Sequence, residues 1–223
     1  MRMIQNQTFD AERALYGSSG LLVKDCSFDG PADGESAFKE CRDIQVESSF
    51  FNLRYPFCNA GIGEQKMIDE TDDDWMMFVM NTNLGGPMRY IREALKIFLP
   101  KNDGVIINVS SVNGTRPFCG ATYTSTKGAL NTLTKNVAMR LIDTNIRCNA
   151  VAPGATVTPA HLANKAGEQP GGAEMLKYSG HYVYFPGPEC DPMDQAYACL
   201  YLASKMGRHV KGQVLQVCNG AFL

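Results

Sequence analysis

The chain has 223 residues, of which 44% are hydrophobic and 20% charged, and its net charge at pH 7 is −2. This composition is ordinary for a soluble globular chain of one domain, or of one domain with an appendage. The nearly balanced charge gives no reason to expect a nucleic acid or an anionic membrane as partner. No apolar run approaches the length of a membrane span.

Eight cysteines are scattered along the sequence without a Cys-x-x-Cys pair. The pattern predicts small core residues in a reducing compartment, and neither a disulfide framework nor a zinc site. The first residues, Met-Arg-Met-Ile-Gln-Asn-Gln, lack the apolar core of a signal peptide. We therefore expect a cytoplasmic protein without a bound metal.

Residues 1–57 contain three similar fragments, each with a β-branched residue five positions before a phenylalanine. The fragments are Ile4–Phe9, Val23–Phe28 and Val46–Phe51, and their starts lie 19 and 23 residues apart. Such spacings are typical of the coils of a parallel β-helix, in which each coil stacks on the next. The segment resembles the start of an uncharacterised family of bacterial right-handed β-helices. We therefore predict a short β-helix-like domain over 1–57.

One loop of this segment allows a second interpretation. The order of its predicted elements is strand, loop and helix, over 21–28, 30–36 and 36–41. In nucleotide-binding proteins, elements in this order bind a pyrophosphate at the helix N-terminus. However, the third glycine position of that loop holds Ser36, and Pro31 stiffens it. We favour a turn of the β-helix and keep the nucleotide loop as the alternative.

The character of the sequence changes after residue 57. A strand end leads into a tight Asn-Ala-Gly turn at 59–61. A helix is predicted over 71–99, because carboxylates follow Thr71, a good N-cap, and apolar residues then recur at helical spacing. Asn83 lies inside this helix, and Pro100 is expected to end it.

Three further strands are predicted, over 104–109, 146–152 and 212–217, with helices over 123–142 and 191–204. The first of these strands is apolar throughout, as expected of a parallel strand buried on both faces. Strands that alternate with helices form right-handed βαβ units and a parallel sheet. Ligands bind such sheets at the carboxyl ends of the strands.

The stretch 158–190 is rich in proline and glycine and is predicted to be loop. We expect it to shape a substrate pocket, although it carries no recognisable signature. Its two histidines, His161 and His181, are expected to be exposed to solvent, with contact to a substrate as the alternative.

The residues that carry chemistry lie between 108 and 127. Ser111 follows a strand, and Tyr123 and Lys127 lie one helical turn apart. Residues at i and i+4 share a helix face, with Cβ atoms about 5–6 Å apart, so the ammonium is expected to lower the tyrosine pKa. A phenol tuned in this way can donate or accept a proton near neutral pH. Alone, such a pair is more often a packed aromatic covered by a lysine stem.

Residues 58–223 resemble the C-terminal two-thirds of a short-chain dehydrogenase/reductase. The matching pieces are the turn at 59–61, Asn83, Ser111 with Tyr123 and Lys127, Pro153-Gly154-x-x-x-Thr158, and Gly212-Gln-Val-Leu. The fold class is therefore expected to be α/β: an incomplete Rossmann-like parallel sheet with flanking helices, after a short β-rich segment. The resemblance implies hydride transfer between NAD or NADP and a small-molecule alcohol or carbonyl substrate.

The resemblance also implies a role for each matching residue. Tyr123 would be the general acid/base, Lys127 would lower its pKa and hold the cofactor ribose, and Ser111 would orient the reacting oxygen. Asn83 would hold a water that links Lys127 to solvent. The other cofactor contacts would come from Asn59, Ala60 and Gly61 near the adenosine ribose and from Pro153, Gly154 and Thr158 near the nicotinamide.

The first third of the sequence departs from the family pattern. A complete member opens with a strand, a glycine-rich loop and a helix that hold the pyrophosphate, and residues 1–57 stand in that place here. Three hypotheses follow. The chain is an oxidoreductase in which residues 1–57 provide a substitute nucleotide-binding surface, or it is a chimeric or truncated chain that cannot bind the dinucleotide and is inactive. In the third, the N-terminal coils bind or process carbohydrate and the rest is scaffold. Family assignment favours the first. A homo-oligomer formed through the helices 71–99 and 123–142 is implied by resemblance alone.

Overall fold

The structure is a computed structural model. It describes residues 2–9, 15, 17–28, 42–47, 50–51, 57–181 and 187–221. The chain divides into two compact units, Met1–Arg54 and Tyr55–Leu223.

The first unit contains two small parallel sheets. One is formed by β1 (Arg2–Gln5), β3 (Ser19–Lys24) and β5 (Arg42–Glu47), the other by β2 (Thr8–Phe9), β4 (Ser27–Phe28) and β6 (Phe50–Phe51). The register sets Ile4 opposite Val23 and Val23 opposite Val46, the residues at which the three repeated fragments begin. The fragments therefore pair in parallel, start to start. The assignment to a β-helix family stays a prediction.

Alternation along β3 gives this unit its small core. Leu21 and Val23 are buried together with Leu15 and Cys26, because every second residue of a strand faces the same side. The loop 30–36, the alternative nucleotide site, lies outside the described residues.

A four-stranded parallel sheet organises the second unit. Its strands are β7 (Phe57–Cys58), β8 (Val105–Val109), β9 (Arg147–Pro153) and β10 (Val214–Val217), in the spatial order β10-β9-β8-β7. Both central strands, β8 and β9, are buried along almost their whole length. The α/β fold with a parallel sheet, predicted from the sequence, is confirmed.

Two apolar clusters lie on opposite faces of this sheet. Ile106 packs with residues of α2 (Gly86–Lys101) and α3 (Ala121–Arg140), whereas its neighbour Ile107 packs with Leu202 of α6 (Pro192–Ala203). Consecutive strand residues point to opposite faces, which explains why β8 is apolar at every position. Each fully buried isoleucine contributes about 1.5–3 kcal/mol to this core.

The helix predicted over 71–99 consists of three pieces. α1 (Asp73–Met80) passes through a π-helical turn (Asn81–Gly85) into α2. A π-turn adds a residue to the helical turn and often marks a functional site. Here it contains Asn83, which is fully buried.

Both predicted ends of this helix are wrong by one or two residues. The N-cap is Asp72, whose carboxylate accepts from the Trp75 backbone N–H, while the hydroxyl of Thr71 donates to another backbone carbonyl. Pro100 lies within the last turn and does not end the helix. Asn102 ends it by adopting a φ of 51°, a left-handed C-cap conformation.

The stretch predicted as loop over 158–190 contains two short helices, α4 (Pro159–Lys165) and α5 (Leu176–Ser179). Thr158 caps α4 by accepting from the His161 backbone N–H, and proline follows at the first helical position. Such an N-cap followed by proline is a helix-start pattern that the loop prediction overlooked.

Within the described residues, no helix combines the length and apolar character needed to cross a bilayer. The same part of the chain holds no group of three or more His, Cys, Asp or Glu side chains arranged to bind a metal. The seven cysteines described are free thiols.

Candidate active site

Ser111, Tyr123 and Lys127 converge just beyond the carboxyl end of β8. Ser111 opens a 3₁₀ turn after the strand, and the other two residues lie in the first turns of α3. The Ser111 side chain lies near enough to Tyr123 to lower the pKa of its phenol, and Lys127 Nζ lies 5.6 Å from the centre of the Tyr123 ring. Ser111 and Lys127 are buried, whereas Tyr123 is half-buried.

Asn113, which the sequence analysis missed, directs the Ser111 hydroxyl. Its backbone N–H and its side-chain Nδ2 both donate to Ser111 Oγ, at 3.1 and 3.2 Å. Because both bonds occupy acceptor positions of Oγ, the hydroxyl proton is left for an acceptor other than Asn113. Asn113 Oδ1 also accepts from the Cys119 backbone N–H at 2.9 Å, which orders the loop between the strand and α3.

The tyrosine pKa differs from the prediction. Burial raises the pKa of Tyr123 to about 12; the polar side chain of Ser111 opposes the rise and nearby Cys119 adds to it. Burial also lowers the pKa of Lys127 to about 8. Both shifts have the same largest cause, which is that the charged form of each group loses hydration on burial. At neutral pH Tyr123 is therefore a neutral phenol, able to donate a proton.

Lys127 and Asn83 both lie beside the predicted cofactor turn at 59–61. Lys127 Nζ donates to the Val109 carbonyl at 2.9 Å. A Cβ placed on Gly61 would lie 3.5 Å from Lys127 Nζ and 3.6 Å from Asn83 Oδ1. The exposed turn at 59–61 thus lies directly beside the buried ammonium.

The Asn83 side chain holds the backbone that follows this turn. Its Oδ1 accepts from the Ile62 N–H at 2.7 Å, and its Nδ2 donates to the Ile62 carbonyl at 2.9 Å and to Thr126 Oγ1 at 3.2 Å. Asn83 therefore joins the turn to α3. Its predicted role in holding a relay water stays a prediction.

The remaining predicted cofactor residues follow β9. Pro153 is the last residue of that strand, the Gly154 N–H donates to the Val217 carbonyl at 2.8 Å, and Thr158 caps α4. Parallel strands end at the same edge of a sheet, so this segment and Ser111 share one edge. Their contact with a nicotinamide stays a prediction.

Two further polar residues have surroundings that the sequence did not indicate: Glu64, for which it gave no prediction, and His161, whose prediction is wrong. Glu64 is 1% exposed, and its carboxylate accepts from the Tyr123 backbone N–H at 2.9 Å. Nothing in the sequence around Glu64 signals this contact, which spans 59 residues. His161 is not an exposed loop residue: its side chain is 20% exposed, and its Nε2 lies 2.9 Å from Glu189 Oε1. His181 is exposed, as predicted.

The chain resembles known proteins over most of its length. Residues 33–221 match the sequence profile of the family described as enoyl-(acyl carrier protein) reductase, a match that begins ahead of the expected boundary at 58. A 3β-hydroxysteroid dehydrogenase of Mediterraneibacter gnavus is 33% identical over 191 residues, which cover 79% of this chain and 69% of that protein.

Two solved structures have a similar fold. A 3-oxoacyl-(acyl-carrier protein) reductase with bound NAD from Brucella melitensis is 26% identical, with a TM-score of 0.62 over 77% of this chain and 63% of that one. A structure described as ElxO with NADP bound is 29% identical, with a TM-score of 0.64 over 76% of this chain and 67% of that one. The chain thus spans about two-thirds of the length of these relatives. It belongs to the short-chain dehydrogenase/reductase family.

Proposed function

We propose that the chain is an NAD(P)-dependent oxidoreductase that transfers a hydride between the nicotinamide cofactor and a small-molecule alcohol or carbonyl substrate. One observation carries the proposal: Ser111 interacts with the Tyr123 side chain and lowers its pKa, and the buried Lys127 ammonium lies 5.6 Å from the centre of the Tyr123 ring. An acid, a hydroxyl donor and a cation at the edge of a parallel sheet are suited to act on a C=O or C–OH group.

The chain's own residues account for the proton part of the reaction. In the reductive direction Tyr123 donates its phenolic proton to the substrate oxygen, while Ser111 donates a hydrogen bond to the same oxygen. The neutral state of Tyr123 at pH 7 suits this direction, because burial raises its pKa to about 12. Lys127 stabilises the phenolate as it forms, since an opposite charge close by favours the ionised form.

The residues at this edge fit the nicotinamide nucleoside half of a cofactor. A Cβ added to Gly61 in the exposed turn at 59–61 would lie 3.5 Å from Lys127 Nζ, and an ammonium beside an exposed backbone turn can hold ribose hydroxyls. When bound, the cofactor supplies or accepts the hydride. Relatives with NAD and with NADP bound support either dinucleotide. The loop 30–36, the alternative pyrophosphate site, lies outside the described residues.

Titration of NADH and of NADPH into the purified chain, followed by nicotinamide fluorescence, tests the binding step. We expect saturation below millimolar concentration for at least one of them. The absence of binding for both would favour the alternative, a chimeric or truncated chain that retains the catalytic residues but is inactive.

Substitution Tyr123→Phe tests the chemical step. It should abolish turnover of a carbonyl substrate panel while cofactor affinity stays within about twofold, because phenylalanine differs from tyrosine only in lacking the acidic hydroxyl group. Tyr201→Phe, an exposed tyrosine on α6, is the matched control and should retain wild-type turnover. Turnover that survives in Tyr123→Phe excludes the role assigned to the phenol.

A further inference from the structure

The helix that carries Tyr123 begins without a cap of its own. Its N-cap is Gly120, which has no side chain to accept from the first-turn N–H groups, and such groups need partners. The partners come from residues 64–66. The Gly120 N–H donates to the Glu64 carbonyl at 3.0 Å and the Ala121 N–H to the Lys66 carbonyl at 3.1 Å. The Tyr123 N–H donates to Glu64 Oε1 at 2.9 Å.

The Glu64 carboxylate is held in this position by burial, by a second hydrogen bond and by close packing against Gly120. It is 1% exposed, and its second oxygen, Oε2, accepts from the Lys66 backbone N–H at 2.8 Å. A Cβ on Gly120 would lie 2.3 Å from Oε2, so the carboxylate occupies the space that a side chain at 120 would need. An anion is favoured at the positive end of a helix, here one of 20 residues, and its hydrogen bonds from N–H groups are stronger than neutral ones.

The same segment also holds the stretch predicted to shape the substrate pocket. The Gln65 N–H donates to the Pro170 carbonyl at 2.7 Å, and Gln65 Nε2 donates to Asn164 Oδ1 at 2.8 Å. Gly171, with a φ of +91°, passes so close that an added Cβ would lie 2.2 Å from the Lys66 nitrogen. Residues 64–66 therefore tie the start of α3 to the loop around Pro170.

We propose that Glu64 is a positioning residue for Tyr123, acting as an N-cap supplied by a distant segment. Its carboxylate holds the backbone N–H of the catalytic tyrosine itself and so sets the place of the phenol relative to Ser111. The catalytic part of this inference rests on the proposed function. Its structural part, the hold on the Tyr123 N–H, stands independently of activity.

Amide exchange at Tyr123 tests the structural part. The chain has nine tyrosines, so ¹⁵N-tyrosine labelling yields a small set of signals, of which the one lost in Tyr123→Phe is assigned. In Glu64→Ala the Tyr123 amide should exchange about 10- to 100-fold faster, the range expected for loss of a hydrogen bond to a charged group. Glu64→Gln retains one acceptor and should restore part of the protection; it also serves if Glu64→Ala does not fold.

Kinetics test the catalytic part. In Glu64→Gln and Glu64→Ala, kcat should fall progressively, by about tenfold or more in Glu64→Ala, because a small misplacement of the acid is costly. Cofactor affinity should change by less than about twofold. The control is Asp191→Ala, which removes the N-cap of α6, where Asp191 accepts from the Met193 N–H at 2.8 Å. It should leave kcat and Tyr123 exchange unchanged.

Unaltered Tyr123 exchange in both Glu64 variants would overturn the proposal, as would an unaltered kcat in an active enzyme. If the wild type turns over no alcohol or carbonyl substrate, the proposed function fails. Amide exchange then decides the structural part alone: faster exchange at Tyr123 in the Glu64 variants supports the hydrogen bond from the Tyr123 N–H to Glu64, and unaltered exchange overturns it.

Discussion

Substitution Lys127→Met should make the free protein more stable at pH 7 while abolishing turnover. Lys127 is 4% exposed and buries an ammonium whose direct partner is the Val109 carbonyl. Methionine has a similar volume and no charge, so the variant avoids the loss of hydration. It also leaves that carbonyl without its donor, a cost of about 1 kcal/mol.

The magnitude follows from the lysine pKa. Burial lowers it from 10.5 to about 8, which at about 1.4 kcal/mol per pH unit corresponds to a penalty of about 3 kcal/mol for holding the cation at neutral pH. After the lost hydrogen bond, Lys127→Met should be more stable by about 2 kcal/mol at pH 7.

The sign of the pH dependence follows from proton uptake. Between pH 8 and 10.5 the unfolded chain binds more protons at this lysine than the folded chain, so the wild type gains stability as pH rises. Below pH 8 the full penalty is present. By pH 9.5 about 2 kcal/mol of it should be relieved, and the advantage of the variant should vanish.

Urea unfolding of both proteins at pH 7 and pH 9.5 measures this change. The difference between wild type and variant is the quantity to follow, because other groups that titrate in this range cancel. Lys135→Met, an exposed lysine on the same helix, should show no such pH-dependent difference. A wild-type-to-Lys127→Met difference that is the same at both pH values would refute the assignment of Lys127 as a buried cation of lowered pKa.

Three further substitutions test the packing and chemistry around the site. Gly120→Ala should lower the free energy of unfolding by about 1–3 kcal/mol in urea, because its Cβ would lie 2.3 Å from Glu64 Oε2; unchanged stability would contradict that close approach. Asn83→Ala should lower the free energy of unfolding by about 1–3 kcal/mol in the same assay, since both backbone groups of Ile62 lose their partner. An unchanged free energy of unfolding would mean that the turn at 59–61 does not depend on Asn83. Ser111→Ala should reduce kcat by about 100-fold with little change in cofactor affinity, and near-normal kcat would remove Ser111 from the mechanism.

Local sequence patterns predicted most of the second unit. The apolar run of β8 predicted a strand buried on both faces, and Ile106 and Ile107 indeed lie in clusters on opposite faces. The one-turn spacing of Tyr123 and Lys127 predicted that they share a helix face, and the ammonium lies 5.6 Å from the ring centre. These features follow from the 2.0 and 3.6 residue periods, which the sequence contains directly.

Features that depend on non-local contacts could not be read in this way. The π-turn at Asn81–Gly85 interrupts a continuous helical pattern, and its central Asn83 side chain bonds to residues 21 and 43 positions away. The partner of the Tyr123 N–H, Glu64, lies 59 positions away. Such pairs produce no periodic pattern in the sequence, because only the folding of the chain brings the two residues together.

The sequence by itself determined the family, the chain order of the sheet strands and long helices of the second unit, and the identity of the groups that meet at the end of β8. Only the tertiary structure decided their protonation. Spacing along a helix sets the distance between an amine and a phenol, whereas burial by the surrounding elements sets how much hydration each charged form loses. Here that loss is the largest effect on both groups, so the Tyr123 pKa rises and the Lys127 pKa falls.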